Sequence, residues 1–175
     1  GDRRQRQMCI RDRVIRQLAR VFAIDILGTG LMGNHFHQIL RNRPDLVGRM
    51  SDREVALRWC LCSDQGRQVS DQSSKQQRQA ARKKVERRVQ AICRDPERLA
   101  ELRARLSSIS WLQGRIKETI AWQANREDGV TGRFWEGRFG AVAITNSEVL
   151  LAAMQYVDLN PIRAGLADRP ETSQY

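Results

Sequence analysis

Between Ala23 and Leu40 the chain holds two short apolar stretches divided by a tight turn, and this unit limits the fold more than any other part of the sequence. Ala23 to Leu31, AIDILGTGL, alternates loosely and is rich in β-formers; His35 to Leu40, HFHQIL, reads as a second strand. Met32-Gly33-Asn34 stands between them, and Gly33 and Asn34 both tolerate positive φ. Two such runs joined by such a turn predict a β-hairpin over residues 23–41. Alternate residues of a strand share a face. His35, His37 and Ile39 are therefore expected to point one way, and Phe36, Gln38 and Leu40 the other.

Around the hairpin the apolar spacing is helical. Val14, Leu18, Val21 and Phe22 predict an amphipathic helix from about residue 14, whereas residues 1–13, GDRRQRQMCIRDR, are polar and basic with no clean period. Pro44 is expected to end the hairpin unit. Ser51-x-x-Glu54 is a capping box before Val55, Leu57, Trp59 and Leu61, so a helix starts there. Residues 63–74 are a polar loop. Lys75 to Arg94 is a basic helix with an apolar stripe through Ala81, Val85, Val89 and Ile92. Asp95-Pro96 opens a helix running to about Leu106. Leu112, Ile116 and Ile120 form one stripe of a further helix over 109–124. Residues 51–124 thus read as an all-helical insertion. Gly129 to Gly140 is a loop, and Ala141 to Ile144 a short strand. Asn146 or Ser147 caps a last helix through Val149, Leu150, Ala153, Met154 and Val157, expected to end near Asn160 because Pro161 disfavours helical geometry before it. Gly165 marks the turn that follows.

The net charge is +11 over 175 residues, which points to a polyanionic partner, nucleic acid being the usual one. Apolar residues make up 41%, enough for a core, and no apolar run is long enough to span a bilayer. No charged n-region followed by an apolar h-region opens the chain, so neither a secretion signal nor a membrane partner is expected. Cys9, Cys60, Cys62 and Cys93 fit no zinc framework and read as reduced thiols, Cys60 and Cys93 as small core residues.

Four groups of residues carry chemistry. His35 and His37, the two histidines of the chain, sit two apart on one strand face and can both reach one metal ion; an isolated H-x-H also arises by chance or packing. Tyr156 and Asn160 are i and i+4 on one helix face; alone, they equally describe a buried tyrosine near a helix end. Arg133, Trp135 and Arg138 lie in an arginine–aromatic stretch suited to phosphates and unpaired bases, or to core rings with solvated arginines. Arg82, Lys83, Lys84 and Arg87 lie on a basic helix that either follows a phosphate backbone or is simply a solvated face.

Two blocks, in order, carry a resemblance. MGNHFHQIL resembles the M-x-N-H-x-H block of HUH single-tyrosine transposases, and FWEGRFGAVAITNSEVLLAAMQYVDLNPIRAGL resembles their W-x-x-R-F … Y-I-x-x-N-P-x-x-A-G-L block, most closely in the branch of REP-associated tyrosine transposases. The resemblance covers residues 14–40 and 129–175; the helical middle matches loosely. It implies an α+β fold: an antiparallel sheet with helices on one face (the HUH, ferredoxin-like palm), the His-x-His on a central strand and the tyrosine on a nearby helix. It also implies cleavage and rejoining of single-stranded DNA, often beside a hairpin, by a bacterial protein acting in the cytoplasm on the nucleoid. His35 and His37 become the ligands of Mg²⁺ or Mn²⁺, Tyr156 the nucleophile and Asn160 a third, polar ligand.

The family has a first strand before its first helix, where this chain has GDRRQRQMCIRDR. The expectation is of a chain short at both ends, with residues 1–13 atypical and 14–175 a single domain, whose missing strand leaves backbone groups unpaired beside the His-x-His strand. Monomer and homodimer both stay open. The alternatives are a basic protein that holds DNA or RNA hairpins without cutting, and a helical structural protein. The enzyme needs Tyr156 to face the two histidines; the others do not.

Overall fold

The computed structural model describes residues 3–32, 35–63, 74–163 and 165. Within them the protein is a mostly helical α+β structure, with seven helices packed around one two-stranded antiparallel hairpin. The strands are β1 (Ile24–Leu31) and β2 (Phe36–Asn42). The helices are α1 (Arg3–Ala19), α2 (Pro44–Arg49), α3 (Asp52–Ser63), α4 (Lys75–Cys93), α5 (Pro96–Leu106), α6 (Ile109–Asp128) and α7 (Ser147–Arg163). The Gly33-Asn34 turn and most of the polar loop expected over 63–74 lie outside the described residues.

Local chemistry fixes most helix starts. The Ser51 hydroxyl accepts from the Glu54 N–H at 3.2 Å at the entry to α3, the first half of the expected capping box; the Glu54 carboxylate is turned instead to Arg58. A complete box stands at Ser74 and Gln77 before α4. Asp95 caps α5 with Pro96 in its first turn, and Ser108 caps α6. Gly129, at φ +65°, closes α6 in the left-handed conformation that disfavours any residue with a Cβ. The Asn146 side chain accepts from the Val149 N–H at 2.8 Å and so starts α7.

The predicted apolar stripes are the core. Val14, Leu18, Val21 and Phe22 of α1 and its following turn pack with Leu112, Ile116 and Ile120 of α6 and with Leu99, Leu102 and Leu106 of α5. Each fully buried side chain of this size contributes about 1.5–3 kcal/mol. The α4 stripe through Val85, Val89 and Ile92 closes on Ala56 and Cys60 of α3 in a second, smaller cluster. Arg103 ties α5 to the α2–α3 junction, donating to the carbonyls of Val47 and Met50 and pairing with Asp52.

Several expectations are corrected. α1 begins at Arg3 and not near Val14: Ile10 and Arg11 are buried with the rest of the helix. Arg11 sits in the core because its guanidinium donates to the Met32 carbonyl at 2.6 Å and lies over the Trp135 ring. Pro44 does follow the end of the hairpin, as expected, and begins a short helix, where its fixed φ and missing N–H suit the first turn. α7 continues through Pro161 to Arg163, and Gly165 then turns at φ +65°. Residues 141–145 form no strand; they are exposed, with Val142 90% accessible, and among the described residues no strand lies beside them to pair with.

The hairpin is also covered on both faces, not one. Phe36, Gln38 and Leu40 face α1 and α6: Phe36 and Leu40 join the main core, and Gln38 accepts from Gln113 of α6 at 2.7 Å. The opposite face, with Gly28, Gly30 and Ile39, receives Val157 of α7. An extra residue at Leu27 shifts the register between Ile26 and Gly28 and leaves the Leu27 side chain exposed.

Candidate functional site

His37 opposes Gly30 across the hairpin, on the face that α7 covers. His35 lies just before β2; its carbonyl accepts from the Met32 N–H at 2.9 Å, which fixes the backbone at the mouth of the turn. The two imidazole centroids are 5.1 Å apart with ring planes nearly perpendicular. On α7, Leu150, Ala153, Val157 and Asn160 form the less exposed stripe. Tyr156, one residue from that stripe, is 47% exposed, and its ring lies 5.4 Å from that of His37 in edge-to-face contact. The structure therefore brings His35, His37 and Tyr156 together at the turn end of the hairpin, within one chain.

Asn160, one turn beyond Tyr156, is 8% exposed, and its amide nitrogen has no hydrogen-bond partner among the described residues. A buried amide left unpaired marks a polar group awaiting a partner. Arg163 places its guanidinium 5.8 Å from the Tyr156 ring centroid. Burial, and then the charge of neighbouring His35, hold the His37 pKa below the usual histidine value. The lowered value favours the neutral imidazole, whose one unprotonated ring nitrogen carries the lone pair that a metal ligand needs.

These residues fit a divalent cation. Two imidazoles with centroids 5.1 Å apart are near enough for both to contribute a nitrogen to one ion, which would be held by His35 and His37. Among the described residues no group of three or more His, Cys, Asp or Glu is arranged to hold a metal ion, so further donors to such an ion would be of another kind, such as an amide oxygen, water or substrate phosphate. Nitrogen and neutral oxygen donors with open positions suit Mn²⁺ or Mg²⁺, the nitrogens tilting the preference to Mn²⁺.

The other predicted site residues stand apart. Trp135 is half-buried against the core. Its Nε1–H donates to the Lys117 carbonyl at 2.8 Å, and its ring meets Phe36 and Phe134 edge-to-face. Lys117 and Arg11 flank the same ring. Trp135 thus pins the irregular segment between α6 and α7 to the body of the protein. Arg133 and Arg138 are exposed on that segment. Arg82, Lys83, Lys84 and Arg87 are exposed on α4, which packs chiefly on α3 and α5 and not on the hairpin.

Sequence reasoning missed Gly30, Val157 and Arg163. The available signal was a glycine inside a strand at Gly30, which marks the close approach of another backbone. No described helix is long and apolar enough to cross a membrane. No family model matches the chain. No curated protein and no solved structure matches it either.

Proposed function

We propose that this chain is a metal-dependent DNA strand transferase of the HUH single-tyrosine type, cutting single-stranded DNA, often beside a hairpin, through Tyr156. In this reading the hairpin is the His-bearing part of an HUH palm. The observation that carries it is the meeting of the Tyr156 ring with His37, itself beside His35, in a protein of net charge +11. A protein that only held nucleic-acid hairpins would need the basic surface but no tyrosine against the histidine pair.

His35 and His37 would hold the cation, with Asn160 as a further polar ligand. When bound, Mg²⁺ or Mn²⁺ would supply charge neutralisation at the scissile phosphate. The rest falls to the chain. Tyr156 is exposed enough for its oxygen to meet a backbone phosphate in solvent reach. Its attack forms a tyrosine O–P bond and breaks the bond from phosphorus to the 3′ oxygen. The phenol proton passes to water, and the departing strand takes a proton as its 3′-hydroxyl. The product is a 5′-phosphotyrosine that preserves the phosphodiester energy for rejoining. Arg163, over the Tyr156 ring, would contact the same phosphate. Arg133 and Arg138 and the α4 cations Arg82, Lys83, Lys84 and Arg87 would attract the DNA from farther away. All the reacting groups lie in one chain, so the reading needs no second copy.

The test is incubation with single-stranded hairpin DNA and Mn²⁺, followed by denaturing electrophoresis. A protein-sized band carrying covalently bound DNA is expected. Folded protein that binds the DNA but yields no such band would refute the proposal.

A further inference from the structure

Gly30 lies under α7. A Cβ added at Gly30 would stand 3.0 Å from the Val157 carbonyl oxygen and 3.4 Å from a Val157 methyl. The first distance is tighter than nine in ten real Cβ contacts, so its partner must give by a few tenths of an ångström, and that partner is backbone, which cannot rotate away as a side-chain tip does. At Gly28, one step along the same face, an added Cβ would meet only side-chain carbons of Ile39 and Val157 at 3.6–3.9 Å, ordinary van der Waals contact. The tight approach is therefore local to Gly30. Pro161 sharpens it: α7 runs through residue 161, and proline lacks the N–H that would otherwise bond the carbonyl four residues earlier, that of Val157. The carbonyl that residue 161 cannot bond is the one nearest Gly30.

Gly30 is the cross-strand partner of His37, and Val157 is the residue after Tyr156. The spacing at Gly30 therefore sets the spacing at the site. We propose that Gly30 is a positioning residue: its missing side chain lets α7 settle onto β1 closely enough to bring Tyr156 against His37. The geometric part stands on the contacts alone; its effect on cleavage rests on the function proposed above.

The experiment compares Gly30→Ala, Gly28→Ala and the unaltered protein in three readouts: NMR proton contacts between the Tyr156 and His37 rings, the rate of covalent adduct formation with hairpin DNA in Mn²⁺, and affinity for that DNA. Gly30→Ala should lose the ring contacts. Its adduct rate should fall by roughly 10- to 100-fold, the scale of a misplacement of up to about 1 Å at a reacting group. Its affinity should change by less than about threefold, since the phosphate-contacting cations stay in place. Gly28→Ala should match the unaltered protein in all three. Retained ring contacts in folded Gly30→Ala would overturn the proposal. If the unaltered protein forms no adduct, the catalytic reading fails while the ring contacts still decide the role of Gly30. If Gly30→Ala does not fold, the double variant Gly30→Ala/Val157→Ala, which relieves the methyl but not the carbonyl, is read instead. Folding without ring contacts supports the proposal; folding with them overturns it. Failure of the double variant too, beside a folded Gly28→Ala, would make Gly30 a requirement of the fold and overturn its positioning role.

Discussion

Trp135→Ala distinguishes a ring that anchors the protein from one that stacks on DNA. Truncating a fully buried tryptophan costs about 3–5 kcal/mol. Trp135 is half-buried, which lowers that figure, but the change also removes the bond from Nε1 to the Lys117 carbonyl, worth about 1 kcal/mol. The edge-to-face contacts with Phe36 and Phe134 go as well, at about 0.5–1.5 kcal/mol each. These overlap with the burial figure, so the expected loss is about 3 kcal/mol. With a urea m-value of about 2 kcal/mol/M, the midpoint should fall by about 1.5 M. The assay is equilibrium urea unfolding followed by circular dichroism, with binding to single-stranded, hairpin and duplex DNA measured alongside. Loss of the anchor should weaken all three DNA forms alike. An unchanged midpoint, with loss confined to single-stranded binding, would refute the anchoring role and show that the ring stacks on a base.

Two further outcomes follow from the charges. His37 binds its proton less readily folded than unfolded. Between the lowered pKa and about 6.5 the unfolded chain therefore holds more protons, and stability should rise with pH through that window and level off above it. Urea midpoints from pH 5 to 7.5 check this, and a slope that survives His37→Gln would assign it to other groups. If Arg82, Lys83, Lys84, Arg87, Arg133 and Arg138 each meet a phosphate, single-strand affinity should fall by about 300-fold for a fourfold rise in salt; a flat response from low to high salt would remove them from the interface.

Periodicity and caps made most of the fold legible. Ser51, Asp95-Pro96 and the Leu112, Ile116, Ile120 stripe are local signals, and each element they mark is present. The hairpin was readable for the same reason, since β-rich runs and a turn lie side by side in sequence. What failed depended on distant partners. The basic run before Val14 becomes helix with Arg11 buried, because a strand-end carbonyl and a tryptophan far along the chain receive the guanidinium. Ala141 to Ile144 has strand-like residues, but a strand exists only with a neighbour. Pro161 sits inside α7 although it disfavours helix before it, an outcome of tertiary context overriding local preference. At the site, the histidine pair and Tyr156 were visible as residues. Their meeting was expected only through the family resemblance; the residue patterns alone did not show it, because the two segments lie more than a hundred residues apart.

Tyr156→Phe tests the central claim most directly. The change removes one oxygen and little volume from a side chain that is half in solvent, so the fold should survive. His35 and His37 are untouched, so binding of Mn²⁺ and of hairpin DNA should stay within about twofold of the unaltered protein. His35→Ala and His37→Ala, by contrast, should lose cleavage together with Mn²⁺ binding. The measurement is covalent adduct on hairpin DNA in Mn²⁺ for the Tyr156→Phe protein beside the unaltered one. Complete loss of adduct with metal and DNA binding intact is the expected result. Adduct formed as fast after the substitution as before it would contradict the assignment of Tyr156 as the nucleophile.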